Sequence, residues 1–334
     1  MPKTIKEIAA ETGYSRTTVT LVINGKADDY RISPKAKAAI ESFIAEHGYR
    51  YNQAARSLKL ARSHTVALIV PDIANAFFAR LASALERQCR HEGFVLVTAS
   101  TGEDPAVERL AIENFAARGV DGVILTPCEP PRTGLGAGRK AEMPIVRIDR
   151  HFEGDEGYLV SSDHLASARV LTENVLSAGA KDIVFFSGPL SNPTTALRAR
   201  GIERTALAAE QSGVRVSKRP SMIDSEEGGY ALIVDLLGEA RELPGGLIFG
   251  SLPIFHGAMR AVRDRLGAVP ASLVVGTFAY SAIIDYLPNP VFVVRQNETE
   301  IASRAFSTLA HLMRKEQPVD HTFLIATDLT VYRG

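Results

Sequence analysis

Two hydrophobic rhythms divide the chain. Up to about residue 50 the apolar positions recur at three- and four-residue intervals, the spacing of helix faces; from Val66 onward short apolar runs alternate with amphipathic segments. Thr4-Ile5-Lys6-Glu7 has the form of a capping box, so a first helix starts there, with Ile5, Ile8 and Ala9 on one face and Gly13 where a left-handed residue ends it. Ser15 can cap a second helix, Arg16 to about Ile23, that turns Val19, Val22 and Ile23 inward and Arg16, Thr17, Thr20 and Leu21 outward. Ser33-Pro34 opens a third helix, closed by Gly48, whose Ile40, Phe43 and Ile44 cover the first two. Two short helices on a tight glycine turn make a helix-turn-helix, completed by the third. The segment Asn52 to Lys59 has good helix formers but is too short to stand alone, so it is expected to form only when supported.

In the remainder, VALIV, FVLVTAS, GVILTP and PIVRID, then DIVFFSG, LIFGS and SLVVG, alternate with helical segments such as FFARLASALERQCRHEG. This is a parallel α/β pattern. Two such sets predict two doubly wound lobes with a ligand crevice at the strand carboxyl ends. A length of 334 residues suits two to three domains, and 46% apolar with 23% charged residues excludes wholesale disorder and fibrous repeats. Cys89 and Cys128 lack metal-type spacing, which speaks against a disulfide scaffold or a cysteine zinc site and for a reducing compartment. With no apolar leader and no run of 18 apolar residues, a cytoplasmic protein is expected.

The zero net charge conceals an asymmetry. Residues 1–63 hold 11 basic and 6 acidic side chains out of 38 of each, so the head is +5 and the body −5. A basic module on an acidic body suits a polyanion, of which nucleic acid is the obvious one. Nothing points to catalysis: P-loop, nucleophile-elbow and zinc-protease motifs are missing, and the eight histidines are scattered. Gly134-Leu135-Gly136-Ala137-Gly138 follows a proline-rich stretch rather than a strand and reads as a surface loop. No cofactor and no metal are expected.

The run TIKEIAAETGYSRTTVTLVINGK resembles the head of the lactose-repressor (LacI) family, and YSRTTVTLVINGKADDYRIS is similar to its fructose-repressor branch. The likeness extends over essentially the whole chain. It implies a helix-turn-helix DNA-binding head (1–49), a hinge helix and linker (50–62), and a two-lobed core like a type I periplasmic binding protein. The lobes would be 63–161 with 292–320 and 162–291 with 321–334, joined by crossings near 161, 291 and 320. It further implies a homodimer on a pseudo-palindromic double-stranded operator; the chain stops after its last strand, without the heptad helix some relatives use to form tetramers.

Carried over by position, Arg16 and Thr17 would read base edges, with Leu21 at a third reading position. Ser15, Thr20 and Asn24 would hold phosphates. Leu58 matches the hinge-helix leucine that wedges into the minor groove, and Lys59 would meet the backbone; Tyr51 stands where the family usually has proline. Asp149 and Arg150 match a sugar-facing pair, Arg198 an effector-gripping arginine and Phe77 and Phe78 an aromatic wall, while Gln296 lies on a crossover. Each has a plainer alternative: helix capping for Asp149 and Arg150, ordinary core for the phenylalanines, and Arg200 in place of Arg198. Ser251 and Tyr280 depart from family positions that usually supply acceptors for sugar hydroxyls, and Arg147, Arg150, Arg198, Arg200 and Arg295 remain. The cleft is thus expected to favour a sugar phosphate, with fructose 1-phosphate the leading candidate. A sugar-modifying enzyme fused to a DNA-binding head is the alternative; a pure solute-binding protein conflicts with the basic head and the lack of a leader.

Overall fold

The computed structural model describes residues 2–49, 62–130, 143–209, 213–240 and 242–333, in two units divided at Ser63. In the first unit, α1 (Ile5–Thr12) opens on the capping box: Glu7 N donates to the Thr4 hydroxyl at 3.3 Å, and Thr4 N donates to the Glu7 carboxylate at 2.7 Å. Gly13 takes the left-handed conformation (φ 76°) that turns the chain into α2 (Arg16–Ile23). α3 (Pro34–His47) starts at Ser33, whose hydroxyl accepts from Ala36 N, and has proline in its first turn. Ile8, Val19 and Ile40 are fully buried at the centre of the three helices. Lys3 N donates to the Gly48 carbonyl at 2.9 Å, and Lys3 bridges Tyr49, so the residues that flank the three helices lie side by side.

The second unit holds two six-stranded sheets. The first has the order β2 (Val95–Ser100), β1 (Thr65–Val70), β3 (Gly122–Leu125), β4 (Ile145–Ile148), β5 (Tyr158–Ser162), β11 (Thr322–Ile325). The second runs β7 (Arg215–Pro220), β6 (Asp182–Ser187), β8 (Gly246–Phe249), β9 (Val274–Thr277), β10 (Val291–Arg295), β12 (Asp328–Tyr332). The central strands β1, β3, β6, β8, β9 and β10 are buried on both faces, which is why they read as nearly continuous apolar runs, whereas the edge strands β2, β7, β11 and β12 are exposed or half-buried. In β1, Val66, Leu68 and Val70 pack under α4 (Ala76–His91) and α10 (Glu298–Met313), while Ala67 and Ile69 pack toward α5 (Pro105–Ala117). The second sheet lies between α6 (His164–Ser177) with α7 (Pro193–Ala208) and α8 (Glu226–Glu239) with α9 (Leu252–Leu266).

The lobe boundaries differ from those expected. The first crossing, after β5, falls at Ser162–Asp163, close to expectation. The second follows β10, so residues 292–295 stay in the second sheet and the chain passes over at Gln296–Asn297. The third falls at Ala326–Thr327, because Thr322–Ile325 pairs in parallel with β5 of the first sheet, not with the second lobe. β12 then pairs antiparallel with β10, the exception to the parallel pattern. The reason is geometric: β11 delivers the chain to the strand carboxyl ends, and a two-residue crossing leaves only the reverse direction for the next strand.

Helices α8 and α9 meet backbone to backbone. A Cβ on Gly257 would stand 1.8 Å from the Glu226 carbonyl oxygen, and one on Gly229 would stand 2.2 Å from that of Ile254. Gly257→Ala is therefore expected to cost about 1–3 kcal/mol or more in urea unfolding. Gly238→Ala, on the same α8 but in open space, should stabilise by about 0.5–1 kcal/mol.

Candidate functional site

In the head, the solvent face of α2 begins with Ser15, Arg16 and Thr17, all exposed, with Thr20 and Leu21 half-buried beside them and Asn24 exposed at the C-cap. The Arg16 side chain has no hydrogen-bond or ion-pair partner among the described residues, so its five donors are available at a helix N-terminus. Ser15 and Thr20 are partly engaged. Thr18 N donates to Ser15 Oγ at 3.1 Å, and the Thr20 hydroxyl donates to the Arg16 carbonyl at 2.7 Å, so both keep acceptor capacity but not a full set of free donors. Leu58 and Lys59 lie outside the described residues, as does the Gly134–Gly138 loop.

In the body, the carboxyl ends of both sheets face one cleft, and the three crossings close its back. Ser162 Oγ donates to Gln296 Oε1 at 2.9 Å, Asp163 N donates to the Ile325 carbonyl at 3.1 Å, and the Ser167 and Thr327 hydroxyls are 2.8 Å apart. Asp149, directly after β4, takes a left-handed backbone (φ 65°) that turns it toward the second lobe. Its carbonyl oxygen accepts from Ser161 Oγ at 2.9 Å and from Thr194 Oγ1 at 3.1 Å. His164 Nε2 stands 3.3 Å from both that carbonyl oxygen and Asp149 Oδ1. His164 Nδ1 lies 3.3 Å from Arg198 Nη2. Arginine only donates, so Nδ1 must carry the lone pair and Nε2 the proton aimed at Asp149.

Burial and the neighbouring Arg198 cation keep His164 below its ordinary value, the Asp149 carboxylate offsetting them only in part. Burial opposes ionisation of Asp149, but hydrogen bonding to His164 and the charges of Arg150 and Arg198 outweigh it and hold the carboxyl low. Arg198 Nη1 donates to the Gly250 carbonyl at 2.6 Å, and its guanidinium lies 4.4 Å above the Phe278 ring. Burial draws Arg198 down to about 10, still a cation at neutral pH.

Arg150 is buried and grips Glu103 with both terminal nitrogens, at 2.7 and 2.5 Å. On the far side Ser251 caps α9 and donates its hydroxyl to Asp224, whose carboxyl is raised by burial against the opposing pull of that bond and of Arg198. Tyr280 donates its hydroxyl to Asp285 at 2.5 Å. Each hydroxyl thus gives its proton to a carboxylate, Asp224 or Asp285, which places a carboxylate acceptor beside each of these positions.

Of the five arginines expected near the cleft, two are buried there. Arg198 rather than Arg200 faces inward, Arg147 pairs with Asp155 at 2.8 Å, and Arg295 is exposed over Tyr280. Phe77 and Phe78 are buried edge to face, 5.0 Å apart, in the first-lobe core; the aromatic ring under a cleft cation is Phe278. Glu103, His164, Asp224 and Phe278 escaped sequence reasoning, although each lies within four residues of a strand end, where such folds place ligands. The recess bordered by Tyr280, Gln296 and Phe278 measures about 50 Å³, well below the ~300–1,000 Å³ of pockets that hold small molecules.

Because His164 is driven neutral in the fold, the unfolded chain binds more protons below the ordinary value of 6.5. Its contribution to stability is complete above that pH and is lost as pH falls toward the lower folded value. His164→Asn, which keeps a donor and an acceptor but does not titrate, should flatten the fall in urea midpoint between about pH 7.5 and about pH 5.5. A fall as steep as in the wild type would show that other groups carry it.

Comparison with known proteins matches residues 4–52 to the lacI family of bacterial regulatory proteins and residues 66–317 to a periplasmic binding protein domain. The catabolite repressor/activator of Escherichia coli (strain K12) is 29% identical over 94% of this chain and 93% of its own length. The sucrose operon repressor of Klebsiella pneumoniae is 26% identical over 94% and 93%. The Cra transcriptional dual regulator of Pseudomonas putida, solved in complex with fructose 1-phosphate, superposes with a TM-score of 0.71 at 24% identity, covering 80% of this chain and 98% of that one. The Lac repressor dimer bound to operator and an anti-inducer reaches 0.82 at 19%, covering 99% and 98%. At these identities the two structures speak to fold. No helix among the described residues is long and apolar enough to cross a membrane.

Proposed function

Since the chain belongs to the lacI family of bacterial regulatory proteins, with a periplasmic-binding-protein domain behind its helical head, we propose that it is a cytoplasmic, non-enzymatic repressor of carbohydrate genes that a sugar phosphate controls. One observation carries the reading: a single chain joins a partner-free arginine at the start of an exposed helix to a cleft holding two buried guanidinium groups. Arg16 pairs with guanine, Thr17 and Leu21 complete base reading, and Ser15, Thr20 and Asn24 fix register on phosphates. Leu58 wedges the minor groove and Lys59 neutralises backbone charge. Two copies are needed, because one small head buries too little surface for tight specific binding. Val95 on the edge strand β2, with Val107 and Leu110 on α5, gives the first lobe exposed apolar surface for that pairing.

In the cleft, Asp149 and Gln296 serve sugar hydroxyls, Arg150 and Arg198 the anionic group, and Ser251 and Tyr280 border the second lobe, with Phe77 and Phe78 packed behind the first. Binding changes the angle between lobes and, through the first lobes of the dimer, decides whether the hinge segments can order on DNA. By linkage, an effector that weakens DNA binding is itself bound less tightly in the presence of DNA. Against catalysis, the thiol bordering the cleft, Cys128, is pushed up to about 12 by burial and stays protonated.

Gel shifts on the DNA upstream of its own gene test the head. Arg16→Ala should cost about 1–3 kcal/mol of discrimination, whereas Lys59→Ala should weaken all sequences alike and flatten the salt dependence. Equal losses on specific and random DNA for Arg16→Ala would remove its assigned role. Calorimetry tests the cleft: fructose 1-phosphate should bind more tightly than fructose 1,6-bisphosphate or free fructose, and tighter binding of the neutral sugar would overturn the choice.

A further inference from the structure

Glu103 is held in an unusual way. The loop after β2 is pinned by Thr101 N on the Val70 carbonyl and Gly102 N on that of Pro71, and Asp104 already caps α5. Between these anchors Gly102 and Glu103 both have positive φ, 63° and 66°. Only the first is a residue that adopts it freely, so the backbone at Glu103 is strained. What the strain delivers is the carboxylate, seated in both arms of the Arg150 fork.

The pair is lopsided: the Arg150 side chain is 6% exposed and that of Glu103 51%. The cation is fixed in the wall, with its Nη1 also on the Pro127 carbonyl at 3.3 Å, while the anion can swing into water. Both Arg150 Nε and, across the cleft, Arg198 Nε are buried without a hydrogen-bond partner. Buried donors of this kind await an acceptor that the protein does not provide. A guanidinium that binds two carboxylate oxygens side by side presents the same face to two oxygens of a phosphate monoester.

Resting on the reading of this cleft as an effector site, we propose that Glu103 is a specificity-determining residue: it occupies the seat of the effector's phosphate on Arg150 and is displaced by it. A dianionic phosphate ester outcompetes the single carboxylate. A neutral sugar leaves the pair closed and gains nothing from either guanidinium. Selection for phosphorylated over free sugar then comes from the threshold that Glu103 sets as well as from attraction to arginine.

The test is calorimetry on the full-length protein with fructose 1-phosphate, inorganic phosphate and free fructose. Glu103→Gln, at a half-exposed position, should tighten fructose 1-phosphate and inorganic phosphate by about tenfold and leave fructose unchanged. Glu103→Asp keeps the charge but ends one methylene short of the fork, and should also tighten both phosphates. Melting temperatures check that each variant is folded. If the wild type binds fructose 1-phosphate and Glu103→Gln binds it no more tightly, Glu103 is not a stand-in, while the effector reading survives. If only Glu103→Gln gains and Glu103→Asp matches the wild type, bulk charge explains the effect and displacement is wrong. If neither wild type nor variants bind any phosphorylated ligand, the inference and the effector reading fall together.

Discussion

The body of this protein depends on a constraint of direction. Parallel strands deliver their carboxyl ends to one edge of each sheet, and in both lobes that edge faces the cleft. A chain that must visit both lobes can then change lobes within two residues, as it does at Ser162–Asp163, Gln296–Asn297 and Ala326–Thr327. Two further features follow. β12 is forced antiparallel, and the three crossings lie close enough to hydrogen-bond one another through Ser162, Gln296, Asp163, Ser167 and Thr327. The strip that joins the lobes therefore also floors the cleft, so a ligand touching Gln296 touches the joint itself.

Electrostatics gives that cleft its character. Asp149, His164 and Arg198 are each almost wholly buried, an arrangement that costs desolvation and persists only because every charge finds a complement. The relay is directional: arginine can only donate, so the imidazole must accept on one side and donate on the other. Removing any member would strand the others. The chain also ties the lobes together, because Asp149 belongs to the first lobe and its partners His164, Thr194 and Arg198 to the second.

The parts of this fold that local chemistry determines were legible in the sequence. Thr4 with Glu7, Ser15, and Ser33 with Pro34 begin helices where their short oxygens and fixed φ dictate, and Gly13 ends one. The lobe crossings were legible only to the first. Nothing in Thr322–Ile325 says that it pairs with β5 rather than with the second sheet, because strand partnership is a long-range choice made by edges and handedness. The same limit governed the site. Arg198 was preferred to Arg200 on resemblance alone, and the physical reason lies in the phase of α7, which starts after Asn192 and puts Thr194, Arg198 and Ile202 on the inner stripe. Glu103 and Asp224 sit in loops with no periodicity, and their importance comes from what faces them across the cleft.

Because Lys3 and Tyr49 are paired neighbours and the helices between them bury their own centre, the three-helix piece is closed on itself between residues 3 and 49. Such a piece can be spliced in front of a different body without opening its interior. Recombination in nature, or a deliberate graft, could therefore exchange one set of exposed α2 side chains for another while the residues of the cleft stay the same.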